Sequence, residues 1–224
     1  MLPWVHLGTA TVPGGGGELR LMQRGAEFVI MAGRIPLMNS RMSGSEEALA
    51  TLSWERIAGR PNPSMLIGGL GMGFTLRKAL AIATPGTRIT VAELVPEVVD
   101  WARGPLAPIF AGSLDDPRAR IETADVASVI AGGKAAYDAI LLDVDNGPDG
   151  LSRPGNDRLY SMHGLATTRA ALRPGGTLAV WASEPDIGFT RRLTTAGFRV
   201  DEKTVRERSN GRGARHTIWL ATRP

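Results

Sequence analysis

The residues with the clearest capacity for chemistry are three glycines and four carboxylates, which lie at or just after the ends of predicted strands. The glycines form G-x-G-x-G within "SMLIGGLGMGFTLRKAL", where an apolar run gives way directly to a helix-forming run: Gly69, Gly71 and Gly73. A side chain there would keep a ligand away from the backbone, and glycine also tolerates positive φ. The turn predicts a site for a dinucleotide, a nucleoside triphosphate or an S-adenosyl group, with a tight packing turn as the alternative. A P-loop is excluded because no G-K-[ST] follows the glycines.

Two acids at the ends of the next two strands distinguish between the classes of ligand that remain. Glu93 ends the second strand, 22 residues after Gly71, where a carboxylate accepts hydrogen bonds from ribose hydroxyls. Asp125, in "TADV", ends the third strand, where adenosyl-sulfonium enzymes often hold the adenine amino group. A dinucleotide enzyme needs no acid at that place. The spacing therefore favours S-adenosylmethionine or a relative over NAD.

The fourth strand leads into a second pair of acids, in "LLDVDNGPDG". Asp143 and Asp145 follow the most apolar strand of the chain and face the reactive sulfonium if the sheet is of the predicted type. Two carboxylates there would attract a cationic amine and could remove its proton before attack, while the protein orients the two reactants. The same letters also make a stable loop, so a purely structural turn is the alternative.

The elements that must position these residues alternate along most of the chain. Residues 1–42 read as short antiparallel strands, a small β appendage, and a helix over "SGSEEALATLSWERI" follows, with Ser45 as a plausible N-cap. The rest of the region 43–224 repeats apolar strands and helices and closes with a hairpin. This pattern predicts an α/β fold with a doubly wound, mostly parallel, seven-stranded Rossmann-like sheet of the methyltransferase type, its C-terminal hairpin antiparallel.

The composition limits the kinds of metal site, cellular location and partner that we expect. The chain of 224 residues has no cysteine and three histidines, which argues against disulfides, thiolate metal sites and a histidine-based metal centre, so no metal is expected. Without an apolar run of roughly 18 residues or a secretory leader, we expect a cytoplasmic protein with no membrane partner. The arginine-rich segment 191–216 is expected to be a solvated hairpin, and nucleic acid is an unlikely partner because no aromatic residues interleave there.

These motifs resemble those of the spermidine synthase-like polyamine aminopropyltransferases. "GLGMGFTLR" is similar to the family's G-G-G-D-G-G before T-L-R, and "VAEL" to its ribose-binding V-E-I-D. "DVDNGP" resembles its catalytic D-x-x-D-P-x-G-P, and "LYSMHGLATTRAALRPGG" the helix that follows. The resemblance implies transfer of an aminopropyl group from decarboxylated S-adenosylmethionine to a diamine or polyamine acceptor, and a possible homodimer.

The resemblance also assigns roles to individual residues. It implies that the donor is bound by Gly69, Gly71, Met72, Gly73, Glu93, Asp125 and Asp143. It implies a catalytic group made of Asp143 as the base with Asp145 and Tyr160.

Two departures from the family pattern keep alternatives open. Met72 stands where the family has an aspartate that holds the donor's amino group, and the catalytic loop is two residues shorter, so the second aspartate maps to Asp145 or Asn146. The main alternative is a small-molecule methyltransferase that uses S-adenosylmethionine. An RNA methyltransferase and a nucleoside-binding regulatory protein without turnover are less favoured.

Four further residues are ambiguous in the sequence. Trp181 could wall an acceptor pocket or belong to the core. Glu46, at the start of the first helix, is explained by helix capping alone, although related proteins place this helix at the active site. His163 and His216 have no acid or nucleophile nearby in sequence and are expected to be structural.

Overall fold

The computed structural model describes residues 2–144, 147–148, 157–208 and 210–224. Its first sheet is antiparallel throughout, with the strands in chain order. These strands are β1 (Val5–Thr11), β2 (Glu18–Arg24), β3 (Glu27–Ala32) and β4 (Ile35–Asn39). The expected N-terminal β appendage is confirmed.

The second sheet has seven strands in the order β10-β11-β9-β8-β5-β6-β7. They are β5 (Ser64–Gly68), β6 (Arg88–Glu93), β7 (Ala119–Thr123), β8 (Tyr137–Leu142), β9 (Leu172–Ala182), β10 (Arg199–Arg206) and β11 (Arg215–Thr222). The pairs from β7 to β9 are parallel, whereas β11 pairs antiparallel with both β9 and β10. This confirms the predicted fold class. The chain reverses its winding between β5 and β8, and ligands of such sheets bind beside that switch point.

Helices cover both faces of the large sheet. They are α1 (Gly44–Ile57), α2 (Phe74–Ile82), α3 (Pro96–Arg103), α4 (Ala107–Phe110), α5 (Val126–Gly132), α6 (Asp157–Tyr160), α7 (Met162–Ala171) and α8 (Ile187–Thr195). Alternate residues of β5 point to opposite faces: Met65 and Ile67 pack with α1, α2 and α3, whereas Leu66 packs with α5, α7 and α8. The first sheet joins the former core through Leu21 and Ile30.

Two helix boundaries differ from those expected. The single helix predicted for "LYSMHGLATTRAAL" is divided, because the Ser161 hydroxyl accepts a hydrogen bond from the Gly164 amide at 3.1 Å and starts α7 anew. At α1 the N-cap position is Ser43, not Ser45. Ser45 lies inside the helix and its hydroxyl donates to Glu46 at 2.7 Å.

A buried ion-pair cluster fixes the amino ends of the central strands. Asp138, at the start of β8, is 2 % exposed and accepts hydrogen bonds from Arg60 (2.8 Å), Arg173 (2.5 Å) and the Ser64 amide (2.8 Å). These contacts join the segment after α1 to β5, β8 and β9. At the opposite, carboxyl edge of the same strands lie the residues predicted to do chemistry.

None of the helices in the described ranges is both long and apolar enough to span a bilayer.

Candidate active site

Two adjoining hollows open where β5, β6 and β8 end. The first hollow is bordered by Glu93, Asp125 and the apolar residues that follow each of them. The second hollow is bordered by Glu46, Met72 and Trp181. The two share a wall made of Leu37, Met38, Gly71 and Asp143. A ligand that extends across this wall from the first hollow to the second would pass Asp143 and Gly71.

The glycine turn has positive φ at all three predicted positions: 89° at Gly69, 49° at Gly71 and 77° at Gly73. A Cβ on Gly69 would lie 2.6 Å from the Asp143 carbonyl oxygen, and one on Gly73 would overlap the Phe110 ring. The protein's own packing thus requires two of these glycines, in addition to any ligand. Gly71 borders both hollows, and donor binding by the turn stays a prediction.

Glu93 is buried and holds the turn in place. Its Oε2 accepts from the Leu70 amide at 2.8 Å and its Oε1 from the Val95 amide at 2.9 Å. Burial raises the pKa of Glu93, and the backbone amides around the carboxylate partly oppose that rise. The carboxylate borders the first hollow at the end of β6, the place expected of a ribose-binding acid.

Asp125 is an exposed residue at the rim of the first hollow. It is the N-cap of α5, where its Oδ1 accepts from the Ala127 amide at 2.9 Å. Helix capping is thus one reason for an acid at this position. Contact with an adenine amino group stays a prediction for the same side chain.

Asp143 lies on the wall between the hollows with its carboxylate held by a hydroxyl. Its Oδ2 accepts from Thr75 Oγ1 at 2.6 Å. Burial raises the pKa of Asp143, and the Thr75 hydroxyl lowers it in part. Sequence reasoning did not select Thr75, although its place in "TLR", directly after the glycine turn, was the available signal.

Glu46 is the second carboxylate of the second hollow. It comes from the first turn of α1 and is half-buried. Burial, and next the charge of Asp143, raise its pKa to about 7, while the Ser45 hydroxyl lowers it. The capping interpretation is insufficient because Glu46 borders the hollow. A strand-end pattern could not reveal a residue that reaches the site from a helix outside the β–α series.

The other predicted residues are divided between the site and the core. Met72 is 3 % exposed and borders the second hollow. Tyr160 is buried in the core between the large sheet and α8, where its ring meets Phe189 edge-on with the centroids 5.5 Å apart. It is not among the described residues that border the two hollows, so this position gives no support for catalysis. Asp145 lies outside the described residues.

Trp181 lines the second hollow. Its ring faces that of His216 with centroids 4.8 Å apart, because the β9–β11 pairing places Trp181 opposite Ile218. Burial lowers the pKa of His216, which favours its neutral form beside the tryptophan. Trp181 thus packs partly against the core and also lines the hollow, and its role as the wall of an acceptor pocket stays a prediction.

Within the parts of the chain that the structure describes, no group of His, Asp or Glu side chains is arranged to hold a metal ion.

No protein-family model matches the sequence. Among curated proteins, it is 32% identical over 151 residues to polyamine aminopropyltransferase 1 of Streptomyces coelicolor, covering 63% of this chain and 27% of that protein. It is 37% identical over 147 residues to polyamine aminopropyltransferase of Mycobacterium tuberculosis, covering 61% and 27%. The match thus spans about a quarter of the length of these relatives. They confirm the resemblance found in the motifs.

Solved structures share the fold. A spermidine synthase in complex with the transition-state analogue AdoDATO gives a TM-score of 0.75 at 21% identity, covering 98% of this chain and 72% of that one. Spermidine synthase from Thermotoga maritima gives 0.74 at 20% identity, covering 98% and 73%. TrmN from Thermus thermophilus gives 0.57 at 19% identity, covering 80% and 49%.

Proposed function

We propose that this chain, related in sequence to polyamine aminopropyltransferases and sharing the spermidine synthase fold, transfers an aminopropyl group from decarboxylated S-adenosylmethionine to a diamine. One observation carries the proposal: Glu46 and Asp143 border the same hollow beside the glycine turn. No lysine or arginine is among the described residues around it. The reacting end of the site is therefore negative.

A negative hollow distinguishes the two adenosyl donors by charge. The decarboxylated donor ends in an ammonium group alone, which two carboxylates attract. S-adenosylmethionine ends in an ammonium and a carboxylate, and the second group would face Glu46 and Asp143 as a like charge. The acceptor, an amine that is cationic in water, is attracted for the same reason.

We place the donor's adenosine in the first hollow and its tail in the second. Glu93 would accept from the ribose hydroxyls and Asp125 from the adenine amino group, with the backbone of Gly69, Gly71 and Gly73 beside the sulfonium. In this arrangement Asp143, which borders both hollows, would lie between the adenosine and the tail, next to the carbon that is attacked. This arrangement is supported by the positions of the side chains around the two hollows.

The proposed reaction is a displacement at the aminopropyl carbon that is attached to sulfur. Asp143 first accepts a proton from the acceptor's ammonium, which frees the nitrogen lone pair. That pair forms the new C–N bond while the C–S bond breaks, and the electrons of the broken bond stay on sulfur as a neutral thioether. Burial raises the pKa of Asp143, which makes its carboxylate a stronger base for this step than that of an exposed aspartate. Asp145 and Tyr160 stay predicted participants.

The methyltransferase alternative rests on Met72, which removes an acid from the donor pocket. It is less favoured, because Glu46 and Asp143 would both oppose the carboxylate of S-adenosylmethionine. RNA methylation has the weakest support.

Calorimetric titration of the protein with decarboxylated S-adenosylmethionine, S-adenosylmethionine and methylthioadenosine tests the proposal. We expect the decarboxylated donor to bind more tightly than S-adenosylmethionine by about tenfold or more, the scale of one charge interaction in a partly buried site. Equal affinities, or preference for the carboxylated donor, would refute aminopropyl transfer and support the methyltransferase alternative.

We also propose that the protein forms a homodimer through the first sheet, which exposes Val5, Leu7 and Ile35, together with Leu2 just before β1. Light scattering after size-exclusion chromatography tests this, and a monomeric mass would refute it. A cytoplasmic location and the lack of a nucleic-acid partner stay predictions from the sequence.

A further inference from the structure

The glycine turn of this chain offers no carboxylate to the donor. Its central side chain is Met72, which is buried and apolar. A thioether cannot form an ion pair with an ammonium group, and the turn's remaining residues that border the second hollow are Leu70, Gly71 and Gly73. The charge that would hold a cationic tail must therefore come from another element.

Glu46 reaches the same hollow from a different direction. It lies on α1, whereas Met72 lies between β5 and α2, and both border the second hollow. The Ser45 hydroxyl donates to Glu46 Oε2 at 2.7 Å, which restrains the carboxylate without neutralising it. The described part of the chain records no ion pair between Glu46 and a basic side chain.

The charges around Glu46 are of its own sign. Asp143 follows β8, Glu207 follows β10, and both raise the pKa of Glu46. Two carboxylates without a cation between them are costly to keep ionised. A bound ammonium would remove that cost, so this pair is arranged for a cationic ligand.

We propose that Glu46 binds the ammonium at the end of the donor's aminopropyl chain, replacing the carboxylate that Met72 cannot supply. This rests on the proposed function, and it divides the roles of the two acids. Glu46 holds the donor's tail and selects the donor that lacks a carboxylate. Asp143 is left to accept the proton of the acceptor amine.

A thermodynamic consequence follows from the pKa of about 7 at Glu46. Near neutral pH the free protein holds a proton on part of its Glu46 carboxyls. An ammonium bound beside the group favours its ionised form, so donor binding should release a fraction of a proton. Methylthioadenosine has no ammonium and should release none by this route.

The test compares the affinities of decarboxylated S-adenosylmethionine and methylthioadenosine, whose ratio isolates the contribution of the tail. Glu46→Gln should lower this ratio by about tenfold or more and leave methylthioadenosine affinity within about twofold. Adding Met72→Asp to Glu46→Gln should restore most of the ratio. The matched control is Glu47→Gln, because Glu47 neighbours Glu46 but borders a separate groove with Arg77 and Lys78.

An unchanged ratio in Glu46→Gln, or an equal loss for both ligands, would overturn the inference. If Glu46→Gln does not fold, titrations of the wild type in buffers of different ionisation enthalpy decide: proton release with the decarboxylated donor alone supports the inference, and equal release with both ligands refutes it. A wild type without preference for the decarboxylated donor would refute both proposals. If Glu46→Gln keeps the full preference for the decarboxylated donor, only the role proposed for Glu46 is refuted.

Discussion

Glu93, Asp143 and Glu46 are carboxylates in three different settings, and the setting of each suits a different task. Glu93 is held by two backbone amides, Asp143 by one hydroxyl, and Glu46 by a neighbouring serine amid like charges. Hydrogen bonds to a carboxylate favour its ionised form, whereas burial and like charges disfavour it. Glu93 thus serves as an acceptor for the backbone of the turn, whereas Glu46, with its pKa raised to about 7, can exchange a proton near neutral pH. Burial also raises the pKa of Asp143.

Thr75→Val should raise the pKa of Asp143, because it removes the hydroxyl that donates to Oδ2 at 2.6 Å. If the ionised form is the base, the acid limb of the kcat/KM profile should move to higher pH by about one unit, and activity below the limb should fall about tenfold. The check is a pH–rate profile, with Thr75→Ser, which keeps the hydroxyl, as the control. A limb that stays in place would mean that Asp143 is not the titrating base.

Some residues of the candidate site could be predicted from the sequence because they lie at the ends of predicted strands. Glu93, Asp125 and Asp143 each follow an apolar strand, and parallel strands bring their carboxyl ends to one edge of a sheet. Glu46 and Thr75 lie on helices, and their direction depends on how α1 and α2 pack, which no local pattern specifies. The contact of Trp181 with His216 likewise depends on strand register.

At the scale of elements, the glycine turn and the segment after β8 are packed backbone to backbone. The Asp143 amide donates to the Gly68 carbonyl at 3.1 Å, and Gly69 has no space for a Cβ beside the Asp143 carbonyl. Any displacement of the turn therefore moves the proposed base as well.

Gly69→Ala should destabilise the fold by about 2–4 kcal/mol, because a positive φ and a clash with a backbone atom act together. Gly112→Ala is the matched control: it has a φ of 81° but nothing within 4 Å of its added Cβ, and should cost only about 1 kcal/mol. Urea unfolding of both variants measures the difference. Equal losses would show that the contact with Asp143 imposes no constraint.

Element types were predictable where periodicity was strong. The alternation of apolar strands and helices identified the doubly wound sheet and its closing hairpin. The break between α6 and α7 was missed, because "LYSMHGLATTRAAL" was assigned to one helix and the N-cap at Ser161 was overlooked. Serine is a preferred N-cap residue, so the signal was available in the sequence.

At the scale of the molecule, the buried ion pairs of Asp138 and the candidate active site lie at opposite edges of the large sheet. Asp138→Asn should lower the free energy of unfolding by about 2–4 kcal/mol, because it removes the buried partner of Arg60 and Arg173. Donor affinity of the folded variant should be unchanged. The control is Asp201→Asn, whose pair with Arg56 is exposed and should contribute less than about 1 kcal/mol. Chemical denaturation and calorimetry check both; weakened donor binding in Asp138→Asn would contradict this separation.

The wall shared by the two hollows combines residues that are synthesised at different times. Met38 is synthesised roughly a hundred residues before Asp143, an interval of about 5–20 s at ordinary rates of translation. Until β8 has been made, the apolar face of the first sheet, with Leu21 and Ile30, has only part of its final core to pack against. The two hollows are therefore completed late in synthesis. Their shared wall takes Leu37 and Met38 from the expected segment 1–42, and Gly71 and Asp143 from the expected segment 43–224.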